Sequence, residues 1–334
     1  MDELIDAAQH VASATGFSGV VRIDRDGETS SEAYGLAHRG LGVPNTAATQ
    51  FAIASGSKAF TALAVVSLIV EGALSLDMKA RSVLGQDLPL IDDNVTIEQL
   101  LAHRSGIGDY LDEEEMDLDL TDYVLVSPVH RLDTTEPFLA EIEGRPTKFP
   151  AGERFAYSNG GYVVLALIAE RVSGIGFHDL IGDRVLTPAG LKDTAFLRSD
   201  EPSGRMALGY LHPDGLRTNV LHLPVRGNGD GGIYTTVADM HNFWEAFFAG
   251  LVVPENWVAE MTRPRSEIPV EDARYGLGFW LASSGHGVRL VGSDAGVSFY
   301  SEHDPTERFT WTVISNTTEG AWPMVRSLRS GLGT

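Results

Sequence analysis

Cysteine is absent from this chain of 334 residues, and its absence excludes several kinds of chemistry. Without thiols there is no disulfide framework, no thiolate zinc site and no cysteine nucleophile. Positive charge is scarce as well, because 25 Lys and Arg residues stand beside 46 Asp and Glu residues, for a formal net charge of -21. Such a surface does not neutralise phosphates, which argues against nucleic acid and anionic membranes as partners.

Long apolar runs are also missing. No stretch approaches the roughly 20 residues of a membrane span. The chain opens on the acidic segment MDELI rather than on a basic residue followed by an apolar run, so we predict no signal peptide. We therefore expect a cytoplasmic protein with no membrane partner, unless the sequence has been trimmed at its amino terminus.

Two common catalytic motifs do not occur. H-E-x-x-H is absent and the ten histidines are scattered, so no metal site is predicted. G-x-S-x-G is absent too, which leaves the nucleophile elbow of an α/β-hydrolase unsupported. Residues 227–232 do fit G-x-G-x-x-G. Because no apolar strand precedes them and no βαβ unit surrounds them, we interpret them as a glycine turn that leads into a helix capped by Thr236. Another short helix is predicted to start at Thr96.

The rest of the chain is organised around residues 51–58, FAIASGSK, where an apolar run that favours a strand passes directly into a helix. Nearly every residue from 58 to 70 is apolar, so this helix should be buried on all faces. A lysine in its first turn is out of place there. Since Ser55 and Lys58 are spaced i, i+3 on one helix face, the amine should reach the hydroxyl.

This pair has two interpretations. A desolvated lysine loses part of its preference for the charged form, and a neutral amine can take the proton of a serine. Alternatively, Ser55 only caps the helix and Lys58 extends to water. One observation favours the first interpretation: only Lys58 has a serine three residues before it among the four lysines, Lys58, Lys79, Lys148 and Lys192.

A second motif, Tyr157-Ser158-Asn159, precedes another apolar helix near residues 162–172. An acyl-transfer serine needs a base, and a tyrosine beside a lysine ammonium can have its pKa lowered enough to serve. Taken alone, Tyr-x-Asn before a helix is more often a core tyrosine beside a capping asparagine. The presence of both motifs in one chain favours the catalytic interpretation.

The order of predicted elements indicates an α+β fold. A helix over residues 3–14 precedes strands near 19–23 and 33–37, and the last seventy residues read as strands over 275–282, 288–291, 297–301 and 309–314 with a closing helix from Trp322. Helices fill the middle of the chain. We expect an α/β sandwich, in which an antiparallel sheet built from both termini is flanked by helices and carries a mostly helical inserted subdomain.

We predict a single module over residues 1–334. Its α/β subdomain comprises about residues 1–75 and 265–334, and its mostly helical subdomain about residues 76–264. Within the latter, residues 112–122 are very acidic. This segment is expected to form a solvated face or a mobile segment.

With both motifs in view, the chain resembles the serine hydrolases of the β-lactamase and penicillin-binding-protein superfamily, above all its class C and esterase branch. The resemblance runs across nearly the whole chain. Framework segments typical of the family follow in order: LLAHRSG at residues 100–106, FPAG at 149–152, PAGLKDT at 188–194, GGIYTT at 231–236 and YGLG at 275–278.

The resemblance implies a role for each motif residue. Ser55 is the acylated nucleophile, Lys58 its proton partner and Tyr157 the general base that later activates water. Asn159 would orient the substrate or Lys58. Backbone N–H groups of Ser55 and of the strand near Gly296 would form the oxyanion hole. No cofactor and no metal are implied.

The third motif of the family, Lys-Thr-Gly or His-x-Gly, departs from its pattern here. By order and context it falls at Ser293-Asp294-Ala295, before Gly296, and these four residues are the predicted substrate-binding strand. Serine cannot hold an anionic substrate group by charge. Asp294 would make the site more negative still, unless it points away or meets an arginine. The alternative for this segment is an ordinary sheet strand.

The leading expectation is a metal-independent serine hydrolase that cleaves an ester or small amide through a Ser55 acyl-enzyme. One alternative is a true β-lactamase, a D-alanyl-D-alanine carboxypeptidase or a D-aminopeptidase. Another is a relative that binds ligands without turnover. The expected partner is a small-molecule ester, amide or β-lactam; neither the physiological substrate nor the oligomeric state follows from the sequence.

Overall fold

The computed structural model describes residues 2–114 and 119–332. Its strands, in chain order, are β1 Gly19–Arg25, β2 Glu28–Tyr34, β3 Leu36–His38, β4 Val43–Pro44, β5 Phe51–Ala52, β6 Tyr234–Thr235, β7 Ser266–Ile268, β8 Ala273–Tyr275, β9 Trp280–Ala282, β10 Val288–Asp294, β11 Val297–Asp304 and β12 Phe309–Ser315. Its α-helices are α1 Asp2–Thr15, α2 Lys58–Val70, α3 Arg81–Leu84, α4 Ile97–Leu101, α5 Leu139–Ile142, α6 Asn159–Ser173, α7 Phe177–Ile181, α8 Val237–Phe248, α9 Glu255–Met261 and α10 Ala321–Leu332.

Strands from both ends of the chain build one antiparallel sheet of eight strands, in the order β2-β1-β12-β11-β10-β9-β8-β7. The first strand and the last are direct neighbours, with Gly19 of β1 opposite Ser315 of β12. The sheet is therefore complete only when strands from the two ends of the chain pair. The predicted α+β fold, with a sheet made from both termini, is confirmed.

The sheet carries a core on each face because side chains alternate along its strands. Val20 of β1 belongs to the larger core, which α2, α6 and α8 complete, whereas the adjacent Val21 and Ile23 belong to a smaller core. Helices α1 and α10 pack against each other and cover this smaller core. The division into subdomains at residues 75 and 265 stays a prediction.

Helix α2 confirms the prediction of an all-round apolar helix. Every residue from Lys58 to Leu68 is buried. Two further helix starts also follow the sequence signals. Thr96 and Thr236 cap α4 and α8 by accepting hydrogen bonds from the backbone N–H groups of Gln99 and Asp239.

Two predicted strands are wrong in their extent, and glycine accounts for each difference. The strand expected over residues 33–37 breaks at Gly35, whose φ of 70° is left-handed, so β2 ends and β3 begins there. The strand expected over residues 275–282 is two strands, β8 and β9, joined by a turn. Gly278 in that turn has φ 87°, and a Cβ there would lie 2.4 Å from the Ala62 side chain.

In the part of the chain that the structure describes, no single helix has the length and apolarity needed to cross a membrane. The bent pair Asn159–Ser173 and Phe177–Leu186 passes that test of length and composition only when its two helices, 86° apart, are taken together.

Candidate active site

Ser55 lies in a 3-10 turn, Ala54–Ser57, that leads into α2. Ala54 holds a left-handed backbone with φ 44°, a strained conformation that the surroundings must enforce. The hydroxyl of Ser57 donates to the Ala54 carbonyl at 2.7 Å and accepts from the Ile233 N–H at 3.0 Å. These two bonds fix the turn and with it the position of Ser55, which is half-buried.

Strand β10 lies directly against the Ser55 turn because it carries a glycine at the point of contact. A Cβ at Gly292 would be 2.1 Å from the Ile53 carbonyl oxygen, so any larger residue would push the strand away. The close approach places Ser293, the next residue, in the same pocket as Ser55.

The amine of Lys58 lies 2.9 Å from Ser55 Oγ, 2.8 Å from Asn159 Oδ1 and 2.7 Å from the backbone oxygen of Asp230. Lys58 is only 2% exposed. Removal from water lowers its pKa below the ordinary value, although the carboxylates of Asp230 and Glu113 oppose this change. The predicted contact between Lys58 and Ser55 is therefore present, and the alternative in which Lys58 extends to water does not fit.

The hydrogen-bond partners of Lys58 can accommodate a neutral amine as well as an ammonium. Asn159 Nδ2 donates to the Leu111 carbonyl at 3.0 Å, which orients the amide so that its oxygen faces Lys58. That oxygen and the Asp230 carbonyl can only accept. A neutral amine has two protons for these acceptors and one lone pair left for the Ser55 hydroxyl. The geometry thus suits transfer of the serine proton to Lys58.

Tyr157 completes the cluster, but its pKa moves in the direction opposite to our expectation. Burial, followed by the charge of Glu113, raises the pKa of Tyr157 well above its ordinary value, and a hydrogen bond with Ser55 offsets only part of this rise. The Lys58 amine lies over the Tyr157 ring, 4.9 Å from its centre. Tyr157 is consequently a protonated phenol at rest, because burial and, after it, the nearby negative charge disfavour a phenolate.

An aromatic and polar support surrounds Tyr157 and Asn159. The ring of His103 lies 4.2 Å from that of Tyr157, and its Nδ1 accepts the Ser158 N–H at 3.0 Å. Asp109 accepts the backbone N–H groups of Asn159 at 2.6 Å and Gly160 at 2.9 Å, at the amino terminus of α6. Burial raises the pKa of Asp109 to about 6, although these bonds oppose the rise.

A cavity of about 390 Å³ opens in front of Ser55. Its described walls combine polar, apolar and aromatic groups: Ser55, Glu113, Leu120, Tyr157, Trp280, Val291, Gly292 and Ser293. Among them Glu113 alone carries a formal charge. Trp280 stacks on Tyr157 with a centroid distance of 6.0 Å and an interplanar angle of 17°. We call this cavity the Ser55 pocket.

The predicted substrate-binding strand divides between two environments. Ser293 lines the Ser55 pocket, as expected. Ala295 and Gly296 instead form the buried turn between β10 and β11. The Ala295 carbonyl accepts Asn219 Nδ2 at 2.8 Å, and the Gly296 N–H donates to Thr318 Oγ1 at 2.9 Å. The expectation that a backbone N–H near Gly296 serves an oxyanion is wrong for Gly296 itself, because that group is already bonded.

Asp294 lines a second, smaller cavity of about 60 Å³, together with Ala54 and Asp230. Each carboxylate accepts a tyrosine hydroxyl: Tyr123 bonds Asp294 at 3.3 Å, and Tyr110 bonds Asp230. Burial and the nearby Asp230 charge raise the pKa of Asp294 to about 7. No arginine in the described residues forms an ion pair with Asp294, and its raised pKa leaves the carboxyl only partly ionised near neutral pH.

The acidic segment predicted to be a solvated face is partly recruited to this site. Asp112 and Glu114 both pair with Lys148 at 2.8 Å, while Glu113 between them lines the Ser55 pocket. Residues 115–118 of that segment lie outside the described residues. Sequence reasoning also missed His103 as the support of Tyr157. Its position within LLAHRSG, itself a framework segment of the family, was the available signal.

No group of three or more His, Asp or Glu side chains is arranged to hold a metal in residues 2–114 and 119–332. The expectation of a reaction without metal or cofactor stays a prediction.

Comparisons with known proteins place this geometry in a family context. The sequence profile described as Beta-lactamase matches residues 2–330. Penicillin-binding protein 4* of Bacillus subtilis is 28% identical over 75% of this chain and 56% of its own length. Esterase EstB of Burkholderia gladioli is 28% identical over 85% of this chain and 79% of its own length.

The crystal structure of a penicillin-binding protein from Bacillus halodurans superposes with a TM-score of 0.90 at 32% identity, covering 97% of this chain and 99% of that one. Three curated relatives are longer, and the chain spans 34% to 65% of their lengths.

Proposed function

Because the chain belongs to the Beta-lactamase family of penicillin-binding-protein-like serine hydrolases, we propose that it cleaves esters and small amides through an acyl-enzyme on Ser55. The observation that carries this proposal is the buried Lys58 amine, 2.9 Å from Ser55 Oγ and bonded otherwise only to acceptors. A hydroxyl next to a neutral amine is an activated nucleophile.

In the acylation step Lys58 Nζ takes the proton of Ser55 as Oγ attacks the substrate carbonyl carbon. The carbonyl electrons move to the oxygen, which the Ser55 N–H and a backbone N–H of the pocket-lining part of β10 stabilise. As the tetrahedral intermediate collapses, the bond to the leaving group breaks. Tyr157 gives its proton to the leaving group, and the Lys58 ammonium then reprotonates Tyr157.

Deacylation uses the same proton transfers, with water as the nucleophile. A water molecule attacks the acyl carbon and gives its proton through Tyr157 to Lys58. The bond to Ser55 Oγ then breaks, and Oγ takes a proton back from Lys58. Tyr157 relays protons in this scheme and Lys58 is the base, because the pKa of Lys58 is lowered whereas that of Tyr157 is raised.

The charge of the Ser55 pocket selects among substrates. Ser293 stands where the family carries a basic residue, and Glu113 is the charged group of the described lining. A carboxylate next to the scissile bond would thus meet repulsion in place of a charge-assisted bond, which is worth about ten- to hundredfold in binding. We infer that neutral esters are better substrates than penicillins or D-Ala-D-Ala peptides.

Intact-mass spectrometry tests the chemistry. A fluorophosphonate and a slow p-nitrophenyl ester should each add one adduct to the protein, and Ser55→Ala should prevent both. The substrate preference is tested by kcat/KM for p-nitrophenyl butyrate and for a penicillin. The Ser293→Lys variant should shift the ratio toward the penicillin. A wild-type kcat/KM that is higher for the penicillin would overturn the preference, and adducts that persist in Ser55→Ala would overturn the nucleophile.

A second candidate is hydrolysis of amino acid esters or amides with a free amino group. Glu113 favours it, because its exposed carboxylate lines the pocket and accepts Asn159 Nδ2 at 3.1 Å, which leaves acceptor capacity for an ammonium. An amino acid p-nitroanilide should then be cleaved faster than its N-acetyl derivative. Equal rates for the two compounds, in both the wild type and Glu113→Gln, would exclude this candidate.

A further inference from the structure

A second groove of about 260 Å³ lies between the sheet and α10. We call it the arginine groove, after Arg289 on β10 and Arg326 and Arg329 on α10, which all line it. Aromatic and apolar side chains, among them Tyr300 and Trp322, form the rest of its wall. Three guanidinium groups around one groove stand out in a chain with a net charge of -21.

None of the three guanidinium groups forms an ion pair with a carboxylate within residues 2–114 and 119–332, although Glu302 is the cross-strand partner of Arg289 and accepts the Tyr300 hydroxyl. Arg329 donates to the Tyr300 hydroxyl at 2.6 Å and lies over its ring, 4.8 Å from the centre. Arg289 Nε is buried and lacks an acceptor in the same described residues. Glu271 is the acidic member of the lining, so the groove retains a positive excess.

The arginine groove adjoins the Ser55 pocket. Trp280 and Val291 line both of them. Along β10 the side chains of Arg289, Val291 and Ser293 point to one face, because successive residues of a strand alternate. Ser293 lies four positions after Arg289, which is a distance of about 13 Å along the strand. A single extended molecule can therefore occupy both sites.

We propose that the arginine groove binds a carboxylate at the far end of the Ser55 substrate, about 13 Å along β10 from Ser293 in the Ser55 pocket. This inference rests on the proposed function, and it names the substrate class: esters or amides whose acyl chain ends in a carboxylate. Guanidinium groups bind carboxylates in a bidentate manner. The shared wall of Trp280 and Val291 accommodates the apolar part of the chain between the two sites.

Charge preference then depends on position. Next to the scissile bond an anion meets Glu113 and no basic residue, whereas at the far end it meets Arg289, Arg326 and Arg329. Position, rather than net charge of the substrate, decides which anions are accepted. The net charge of the protein would disfavour a carboxylate at either end of the substrate equally. Only the groove therefore accounts for a preference for a carboxylate at the far end.

The test compares two p-nitrophenyl esters with the same acyl chain, long enough to span about 13 Å. One chain ends in a free carboxylate and the other in its methyl ester. Wild-type kcat/KM should be about tenfold or more higher for the carboxylate. The ratio should fall toward one in Arg289→Gln and in Arg329→Gln, and should shrink at high salt. Arg131→Gln, which removes an exposed arginine outside both sites, should keep the wild-type ratio.

Binding to Ser55→Ala, measured by calorimetry with the same two compounds, separates this inference from the proposed function. A carboxylate preference in binding without any hydrolysis by the wild type would support the groove and contradict the hydrolase proposal. Hydrolysis of both esters with a ratio near one would support the hydrolase proposal and contradict the groove. An equal loss for both esters in Arg289→Gln and Arg329→Gln would also overturn the inference, since it would indicate a structural effect.

Discussion

Lys58 and Lys148 show how two neighbouring regions of one protein treat the same side chain. Lys148 sits in a partly exposed ion-pair cluster with Asp112 and Glu114, each 2.8 Å away. Burial acts against its charge, but the two carboxylates outweigh burial and raise its pKa. Lys58 also has carboxylates nearby, yet burial outweighs them and lowers its pKa. Only the second environment yields an amine that can take a proton.

The difference teaches that nearby negative charge does not by itself decide the state of a lysine. Lys148 has its carboxylates in direct contact, whereas Lys58 contacts a carbonyl, an amide oxygen and a hydroxyl. Those neutral acceptors compensate for only a small part of the hydration energy that an ammonium loses on burial. The first environment keeps a lysine charged, and the second favours the neutral amine that the proposed mechanism requires.

The largest expected effect is that of Ser55→Ala. Removing the nucleophile should reduce ester hydrolysis to the uncatalysed background, because no other group of the Ser55 pocket offers a comparably activated oxygen. The fold should persist, since the substitution removes one half-buried hydroxyl. Steady-state kinetics and circular dichroism measure the two outcomes. Activity that remains within tenfold of the wild type would contradict the assignment.

Exchange of each lysine tests the comparison directly. Lys58→Ala should lower kcat by about 10²-fold or more, the scale of a lost general base. Lys148→Ala, the matched control, should change kcat only a few-fold, because its amine contacts carboxylates outside the described lining of the Ser55 pocket. Comparable losses in the two variants, at comparable stability, would mean that the two regions do not differ in role.

The pH profile distinguishes Lys58 from Tyr157 as the base. Since the lowered pKa of Lys58 governs its proton uptake, kcat/KM should rise with pH and level off once Lys58 is neutral, below its ordinary pKa near 10.4. Lys58→Arg remains protonated and should lack this rise. Tyr157→Phe should be slower by about 10²-fold but should keep the rise. A profile that becomes flat in Tyr157→Phe would make the tyrosine the base instead.

Local signals in the sequence predicted the parts of the site that depend on short spacing. The i, i+3 relation of Ser55 and Lys58 and the apolar character of α2 required no tertiary knowledge. The helix-capping threonines Thr96 and Thr236 could likewise be predicted from local sequence signals. The overall sheet followed from strands at both ends of the chain, and comparison with a known family confirmed it.

Contacts between distant segments were not predictable in the same way. The hydrogen bond from Ser158 to His103 spans 55 residues. The place of Glu113 in the pocket depends on how an acidic segment packs, which its composition does not reveal. The raised pKa of Tyr157 likewise comes from burial and from Glu113, neither of which is visible beside Tyr157 in the sequence. Ala295 and Gly296 were misplaced because the end of β10 was not predictable to one residue.

The smallest expected effect concerns the stability of the Lys148 cluster. Glu114 pairs with both Lys148 and Arg154, and these partners, Arg154 first, lower its pKa to about 2. A lowered carboxyl pKa contributes stability above the unfolded-state pKa near 4.3, and this stability is lost as the pH falls through about 2. Because the Glu114 side chain is 39% exposed, solvent screening reduces the contribution to about 1 kcal/mol or less.

A double-mutant cycle with Lys148→Ala and Glu114→Gln measures this contribution by urea denaturation. At pH 7 and low salt the coupling energy should be about 0.2 to 1 kcal/mol, the range of partly exposed ion pairs. It should shrink at 1 M salt, where the Debye length falls to about 3 Å. Activity toward a neutral ester should stay close to that of the wild type in Lys148→Ala. A coupling of several kcal/mol that salt leaves unchanged would show that Lys148 is as strongly desolvated as Lys58, and the contrast between the two regions would fail.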